Sequence, residues 1–394
     1  MSNHDKDEKD NNVQHTFGAG AHARALQALE RRNRLRSLAP RHGIDFASND
    51  YLGLANSPEL IAAAQHALSR GVAVGSGGSR LLRGNTREHE ALEEEAARFF
   101  GSEAALYFSS GFAANSTLLA TLPQRGDLII YDALIHASAR DGIAASRAQS
   151  VEVPHNDVSA IEHAIKKWQS ANATGCIWIA IETIYSMDGD QAPLDELVSL
   201  ADRYNAMLLL DEAHATGIYG PDGRGLGAHL EGRENIVFLH TCGKALGAMG
   251  ALVTGPKVLL DFMINRSRPF IYATAPSPLM AAIVRASLML TKMDQGRREK
   301  LHELIVHTAK QLTTLNDIKI THSPIQPIIV GTDARALKLA QSLQQKGFDV
   351  RAVRPPTVPE GTARLRLTLT LNATTGDVDR LIANLKDKLV ETAA

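Results

Sequence analysis

The chain has 394 residues, 44% of them hydrophobic and 22% charged, a globular balance with room for a large core and more than one domain. A formal net charge of −1 provides no global field to attract nucleic acid or an anionic membrane, so any anion has to be held locally. Two cysteines, Cys176 and Cys242, are too few for a disulfide scaffold or a multi-cysteine metal site and favour a reducing, cytoplasmic setting, and no apolar run approaches the ~18 residues that cross a bilayer.

In chain order, "MSNHDKDEKDNNVQH" is strongly polar and lacks the apolar stretch of a signal peptide, so residues 1–20 read as a disordered tail. Within an N-terminal helical segment, 21–50, apolar residues spaced by three and four among arginines predict a helix from Ala21 to Leu38. A second helix ends at Ser69, and "GVAVGSGGSRLLRGN" follows as a loop whose glycines imply positive φ or close backbone approach. Residues 51–255 form the larger domain. There, helices alternate with seven short apolar strands, "ALYF", "LIIY", "SVEV", "CIWIAIE", "AMLLLDEA", "IVFLH" and "GALVTG", which predicts an α/β fold with a mostly parallel seven-stranded sheet flanked by helices. After Gly255 a helical region, 256–315, leads to "IKITHSPIQPIIVG", a helix near 334–346, "FDVRAVRPPTVPEGTARLRLTLT" and a last helix: a smaller α+β domain, 256–394, with antiparallel strands.

In such sheets ligands sit beyond the carboxyl ends of the strands, and the polar motifs collect there. Asp211 and His214 follow "MLLL"; a carboxylate at that place is costly to bury unless a cation or proton donor faces it, the alternatives being a helix N-cap or a buried ion pair. Lys244 in "HTCGKALG" comes 33 residues after Asp211, about one α/β unit plus a strand, so both emerge at one edge. A lysine that can bond to an aldehyde and an acid that can keep a pyridine nitrogen protonated fit pyridoxal 5'-phosphate. Its phosphate needs backbone N–H donors at a helix N-terminus, which Ser110, Gly111 and Phe112 supply, while Ser186 and Thr241 could add hydroxyls or be simple caps. His136, after "LIIYD", is either structural or placed to stack on a planar cofactor. Neither "GSGGS" nor "GK" has the spacing of a nucleotide-binding loop.

The motifs "FASNDYLGL", "GSGGSRLLRGN", "SSGFAAN", "IHAS", "YSMDGDQAPL", "DEAHATGIYGPDGRG", "HTCGKALG" and "RPPTVPEGTARLRLTLT" resemble, in order from about residue 25 to the C-terminus, the α-oxoamine synthases. These are fold-type I pyridoxal-phosphate acyltransferases that join a small amino acid to an acyl thioester with loss of carbon dioxide. "PIQPIIVG" and "RPPTVPEGTARLRLTLT" are most similar to the biotin-pathway branch, which uses L-alanine with pimeloyl-CoA or pimeloyl-acyl carrier protein. Glycine-using branches, such as 5-aminolevulinate synthase and 2-amino-3-ketobutyrate CoA ligase, share the cofactor residues. The resemblance implies Lys244 as the Schiff-base lysine, Asp211 at the pyridine nitrogen, His214 at the phenolic oxygen and His136 on the ring face. It implies Gly111, Phe112, Ser186 and Thr241 in the cofactor pocket, and Asn49 and Glu182 near the substrate. Arg366 would grip the amino-acid carboxylate, with Arg364 as its rival, and Thr357 would lie on the substrate side. Arg36, with Arg34 as its rival, would meet the far carboxylate of the pimeloyl chain. The resemblance also implies a homodimer with each site at the subunit interface.

Overall fold

The computed structural model describes residues 18–315 and 318–391, so most of the expected polar tail lies outside the described residues. The first helix spans Gly20–Arg31 and buries no side chain. It ends seven residues before the expected Leu38, because Asn33 takes the left-handed conformation, φ 57°, which a continuing helix forbids. A short strand, β1 (Ile44–Asp45), and a helix Pro58–Ser69, capped by the Ser57 hydroxyl, precede the sheet.

The main sheet contains β2 (Ala104–Phe108), β3 (Leu128–Asp132), β4 (Gln149–Val153), β5 (Ile177–Glu182), β6 (Met207–Asp211), β7 (Ile236–Thr241) and β8 (Ala251–Gly255). Their order is β2-β8-β7-β6-β5-β3-β4, with only β8 antiparallel to its neighbours. The central strands β5 and β7 are buried at every residue, as expected of strands covered on both faces, and their sequences are correspondingly apolar. At the edge, β4 is exposed at all but Val153 and carries polar residues. Because β2 and β7 both run antiparallel to β8, they run parallel to each other. The carboxyl ends of β2, β3, β5, β6 and β7 therefore open on one edge of the sheet.

The expected helical region 256–315 consists of helices Lys257–Arg266, Arg268–Ile271, Pro278–Met293 and Gln295–Leu312, interrupted at Ser267, at the turn before Pro278 and at Asp294. Beyond it lie β9 (Ile325–Gly331), β10 (Phe348–Asp349), β11 (Ala352–Val353) and β12 (Ala363–Thr368), with helices Asp333–Gln345 and Thr375–Glu391. β12 lies between β9 and β11, antiparallel to both. β10 pairs in parallel with β1, so the N-terminal segment is tied to the C-terminal strands. Packing follows the same link: Phe46, Tyr51, Leu52 and Leu54 share one buried cluster with Leu301, Leu339, Leu365 and Leu381. Each such large side chain taken out of water contributes about 1.5–3 kcal/mol, which holds the N-terminal stretch against the distant end of the chain.

Candidate active site

The strand-end edge holds a cavity of about 300 Å³ lined by Asn49, Ser109–Phe112, His136, Glu182, Asp211, His214, Thr241 and Lys244, among others. Lys244 lies in the loop between β7 and β8, which is closed by Cys242 N–H donating to Gly250 O and Ala248 N–H donating to Cys242 O. Gly247, at φ 61°, is required by packing rather than by a ligand, since a Cβ there would stand 2.5 Å from the backbone of Leu54. Cys242 is fully buried among Leu92, Phe100 and Leu252.

Lys244 Nζ sits 2.9 Å from His214 Nε2. Burial lowers the lysine to about 8, opposed by the carboxylates of Asp211 and Glu182 and reinforced by Arg366. The same burial and the adjacent Lys244 cation hold His214 well below its ordinary value. Asp211 ends β6, buried, with Oδ2 accepting from Asn115 Nδ2 at 2.9 Å and Oδ1 from Ala213 N–H at 2.9 Å. Burial raises it, and Lys244 pulls the other way. Glu182 ends β5 directly opposite Asp211 in register. Its Oε2 accepts from Ser186 N–H at 3.0 Å while Oε1 has no partner among the described residues. Burial and the neighbouring Asp211 carboxylate push Glu182 up to about 8.

At the other wall the helix Gly111–Thr121 begins, with Ser110 Oγ accepting from Ala113 N–H at 3.1 Å. The N-terminal N–H groups of this helix face the ligand side of the sheet and make a place for an anion. Gly111 lies against Thr241, whose Cγ2 a Cβ at 111 would meet at 2.6 Å. The Thr241 hydroxyl donates to Ala213 O at 3.2 Å. His136 caps the helix Ala137–Ala145, its Nδ1 2.7 Å from Ser138 Oγ and accepting from Ser138 N–H, which leaves Nε2 as the free ring nitrogen. Burial lowers its pKa, favouring the neutral ring.

His136 also borders a second cavity, about 460 Å³, lined by Arg36, Arg140, Tyr185, Ser186, Pro356 and Thr357, among others. Arg36 Nη2 donates to Thr357 Oγ1 at 3.2 Å. Arg34 instead spends its guanidinium on Asp333 and Glu360, at 2.6–2.9 Å. Arg364 donates to Asp188 Oδ1, Met187 O and Thr362, whereas Arg366 donates to Ser186 O at 2.6 Å and Thr368 Oγ1 at 2.7 Å with Nη2 unpartnered among the described residues. Of the sequence-picked residues, Asn49, Gly111, Phe112, His136, Glu182, Asp211, His214, Thr241 and Lys244 meet in the first cavity, while Arg36, Ser186 and Thr357 line the second.

Residues 41–385 match the model of the class I and II aminotransferases. The chain is 42% identical to 8-amino-7-oxononanoate synthase of Chromobacterium violaceum, with 91% of this chain and 95% of the relative covered. The chain belongs to the class I and II aminotransferase family. Its fold is that of the fold-type I pyridoxal-phosphate transferases, and pyridoxal 5'-phosphate is its cofactor. Two solved structures agree. An 8-amino-7-oxononanoate synthase from Francisella tularensis superposes with a TM-score of 0.75 at 27% identity, covering 89% of this chain and 99% of that one. A serine palmitoyltransferase from S. paucimobilis with a bound PLP–myriocin aldimine superposes with a TM-score of 0.85 at 25% identity, covering 95% and 98%.

Three site residues of this aminotransferase-family chain escaped the sequence reading although they lie inside motifs that it singled out. Asn115, in "SSGFAAN", holds Asp211; Ser138, in "IHAS", holds His136; and Tyr51, in "SNDYLG", bonds His214. The signal for Asn115 was an amide in an apolar helix, since a buried amide needs a partner.

Proposed function

We propose that this chain condenses L-alanine with a pimeloyl thioester, carried by CoA or acyl carrier protein, to 8-amino-7-oxononanoate, carbon dioxide and free thiol. The observation that carries the reading is one cavity in which a buried lysine, a buried acid and a helix N-terminus face each other beside a second cavity ending at Arg36. The residues fit pyridoxal phosphate. Asp211 is buried with only two neutral donors and is completed by a cationic N–H, and the first turn of the helix Gly111–Thr121 suits a phosphate. When bound, the cofactor supplies an aldehyde for Lys244 and a ring that takes up the electron pair of the substrate Cα.

Everything else falls to side chains of this chain. Arg366, with one free N–H pair, binds the alanine carboxylate as a planar donor. Arg364, committed to Asp188, fixes the loop after β5 instead. Lys244, lowered to about 8 so that a working fraction is free amine near neutral pH, takes the Cα proton as general base and returns it at the end of the cycle. His136, standing between both cavities with Nε2 open, donates to the acyl carbonyl, and Phe112 and His136 wall the cofactor's faces. Asn49 and Glu182 stand at the amino-acid end, Ser186 and Thr241 near the phosphate and substrate, and Arg36 with Thr357 holds the far carboxylate. Residues 51–255 thus form the cofactor unit, to which 256–394 brings Arg366 and Thr357.

Phe112 and Met249, 49% and 58% exposed at the cavity rim, support a homodimer whose interface covers the site. Two free cysteines suit the cytoplasm, and no helix among the described residues is long and apolar enough to cross a membrane. The test is turnover with alanine or glycine against pimeloyl, succinyl and acetyl thioesters, read by released thiol and product mass. Alanine with pimeloyl thioester is expected to be fastest; faster turnover of glycine with a short thioester would transfer the assignment to a glycine-using branch.

A further inference from the structure

We propose that Tyr51 is a positioning residue for the reactive amine: its hydroxyl selects the tautomer of His214, so that the imidazole accepts a hydrogen bond at Lys244 instead of donating one. This rests on Lys244 as the reacting amine but asks a separate question about how that amine is held.

The direction of the hydrogen bonds follows from a chain of three contacts. Tyr51, fully buried, donates its hydroxyl proton to Asn49 Oδ1 at 3.2 Å. With that proton committed to Asn49, the Tyr51 oxygen turns its lone pairs to the Arg366 guanidinium and to His214 Nδ1, 2.6 Å away, which then carries the ring hydrogen. A neutral imidazole has a single N–H, so Nε2 presents a bare lone pair to Lys244 Nζ at 2.9 Å. The ring stays neutral because it is buried beside the cations of Lys244 and Arg366. Burial also pushes the Tyr51 phenol up to about 12, with Arg366 opposing, so the phenol keeps the proton that closes the chain at Asn49.

Without the phenol, an Nδ1–H would be stranded in a dry site, and the ring gains by moving its proton to Nε2. Nε2–H then points at the lysine lone pair and favours the free amine over the ammonium. The carboxylates of Asp211 and Glu182, which also face Lys244, are untouched by this change, as is His136 beside Asp211, while Arg366, which faces the Tyr51 phenol, keeps its contacts to Ser186 O and Thr368 Oγ1. The lysine midpoint should therefore fall in response to a group it does not touch.

The test uses the full chain stripped of cofactor. In 15N-histidine protein, the His214 resonances, assigned by difference from His214→Gln, report the tautomer. Competitive acetylation of Lys244 across pH, read by mass spectrometry, reports its midpoint. Tyr51→Phe is expected to exchange the His214 tautomer and lower the Lys244 midpoint by about one pH unit, the worth of one hydrogen bond to a charged group. 3-Fluorotyrosine at position 51 keeps the hydroxyl and shape and is expected to leave the tautomer as in the wild type, which covers the case of a Phe variant that fails to fold. An unchanged tautomer and midpoint in Tyr51→Phe, or a tautomer exchange with 3-fluorotyrosine, overturns the proposal. Failure of borohydride to fix cofactor on Lys244 in the wild type would instead overturn the enzymatic reading and leave the tautomer result standing.

Discussion

The two cavities that meet at His136 are built in opposite ways. The first is lined by the ends of successive strands, Glu182 of β5, Asp211 of β6 and Thr241 of β7, with His136 and Gly111–Phe112 entering just after β3 and β2. Their spacing is set by the sheet, and their hydrogen-bond partners are within a few ångströms. The second draws on four stretches far apart in the chain, around residues 36, 133–140, 185–188 and 356–359. Of the two guanidinium groups that line it, Arg140 is taken up by Glu152 and the carbonyl of Ala133, while Arg36 has one hydrogen bond among the described residues, to Thr357, on an N-terminal stretch pinned by Arg34 to Asp333 and Glu360 and by Arg354 to the carbonyl of Asn33. On the function proposed above, chemistry is anchored to the sheet and choice of acyl group to the join between chain ends.

Substitutions in the two regions should therefore fail differently. Lys244→Ala should abolish turnover and leave no cofactor fixable by borohydride; turnover near the wild-type rate would break the assignment of chemistry to the first cavity. In the wild type, reloading of stripped protein with pyridoxal phosphate should speed up as pH rises and level off above about 8, because only the free amine attacks an aldehyde. Asp211→Asn should retain cofactor yet slow proton exchange at alanine Cα on the order of 10³-fold, measured by deuterium uptake with no acyl donor present.

Arg366→Met should raise KM for alanine roughly 30-fold or more, with Arg364→Met costing stability rather than alanine affinity, which thermal melts separate from kinetics. Arg36→Ala should raise KM for the pimeloyl thioester roughly tenfold and leave deuterium exchange at alanine untouched. If exchange fell as well, the two cavities would be less separate than their construction implies.

The smallest effect is expected behind the second cavity, where His155 lies between Asp132, at 2.9 Å, and Asp190, at 2.9 Å, and packs edge-on against Tyr185. These carboxylates, against burial, raise it to about 9. A raised histidine pKa adds stability that is complete below its unfolded value, about 6.5, and lost as pH climbs through about 9. The thermal midpoint should fall over that window, and less so in His155→Gln.

The same contrast governs what could be read from sequence. The seven strands and the residues at their ends were legible because apolar runs end in polar motifs wherever a parallel sheet presents its ligand edge. Partners that work across elements were not legible: nothing in "SNDYLG" indicates that Tyr51 reaches a histidine 163 positions away. The early end of the first helix at Arg31 was hidden because leucines continue past it at multiples of three residues, from Leu29 to Leu35 and Leu38, while the stop lies in the backbone of Asn33. The choice between Arg364 and Arg366 was also closed to sequence, since neighbouring alternate positions on one strand share a face and only the acceptors around each guanidinium tell them apart.

Tyr51 belongs to the hydrophobic cluster of the C-terminal strands and helices, yet its hydroxyl grips a histidine at the edge of the main sheet. That single 2.6 Å contact acts as a coupling pin between two masses of the protein. On the proposal above, any shift between them at this point would reach the lysine through His214, which touches both Tyr51 and Lys244.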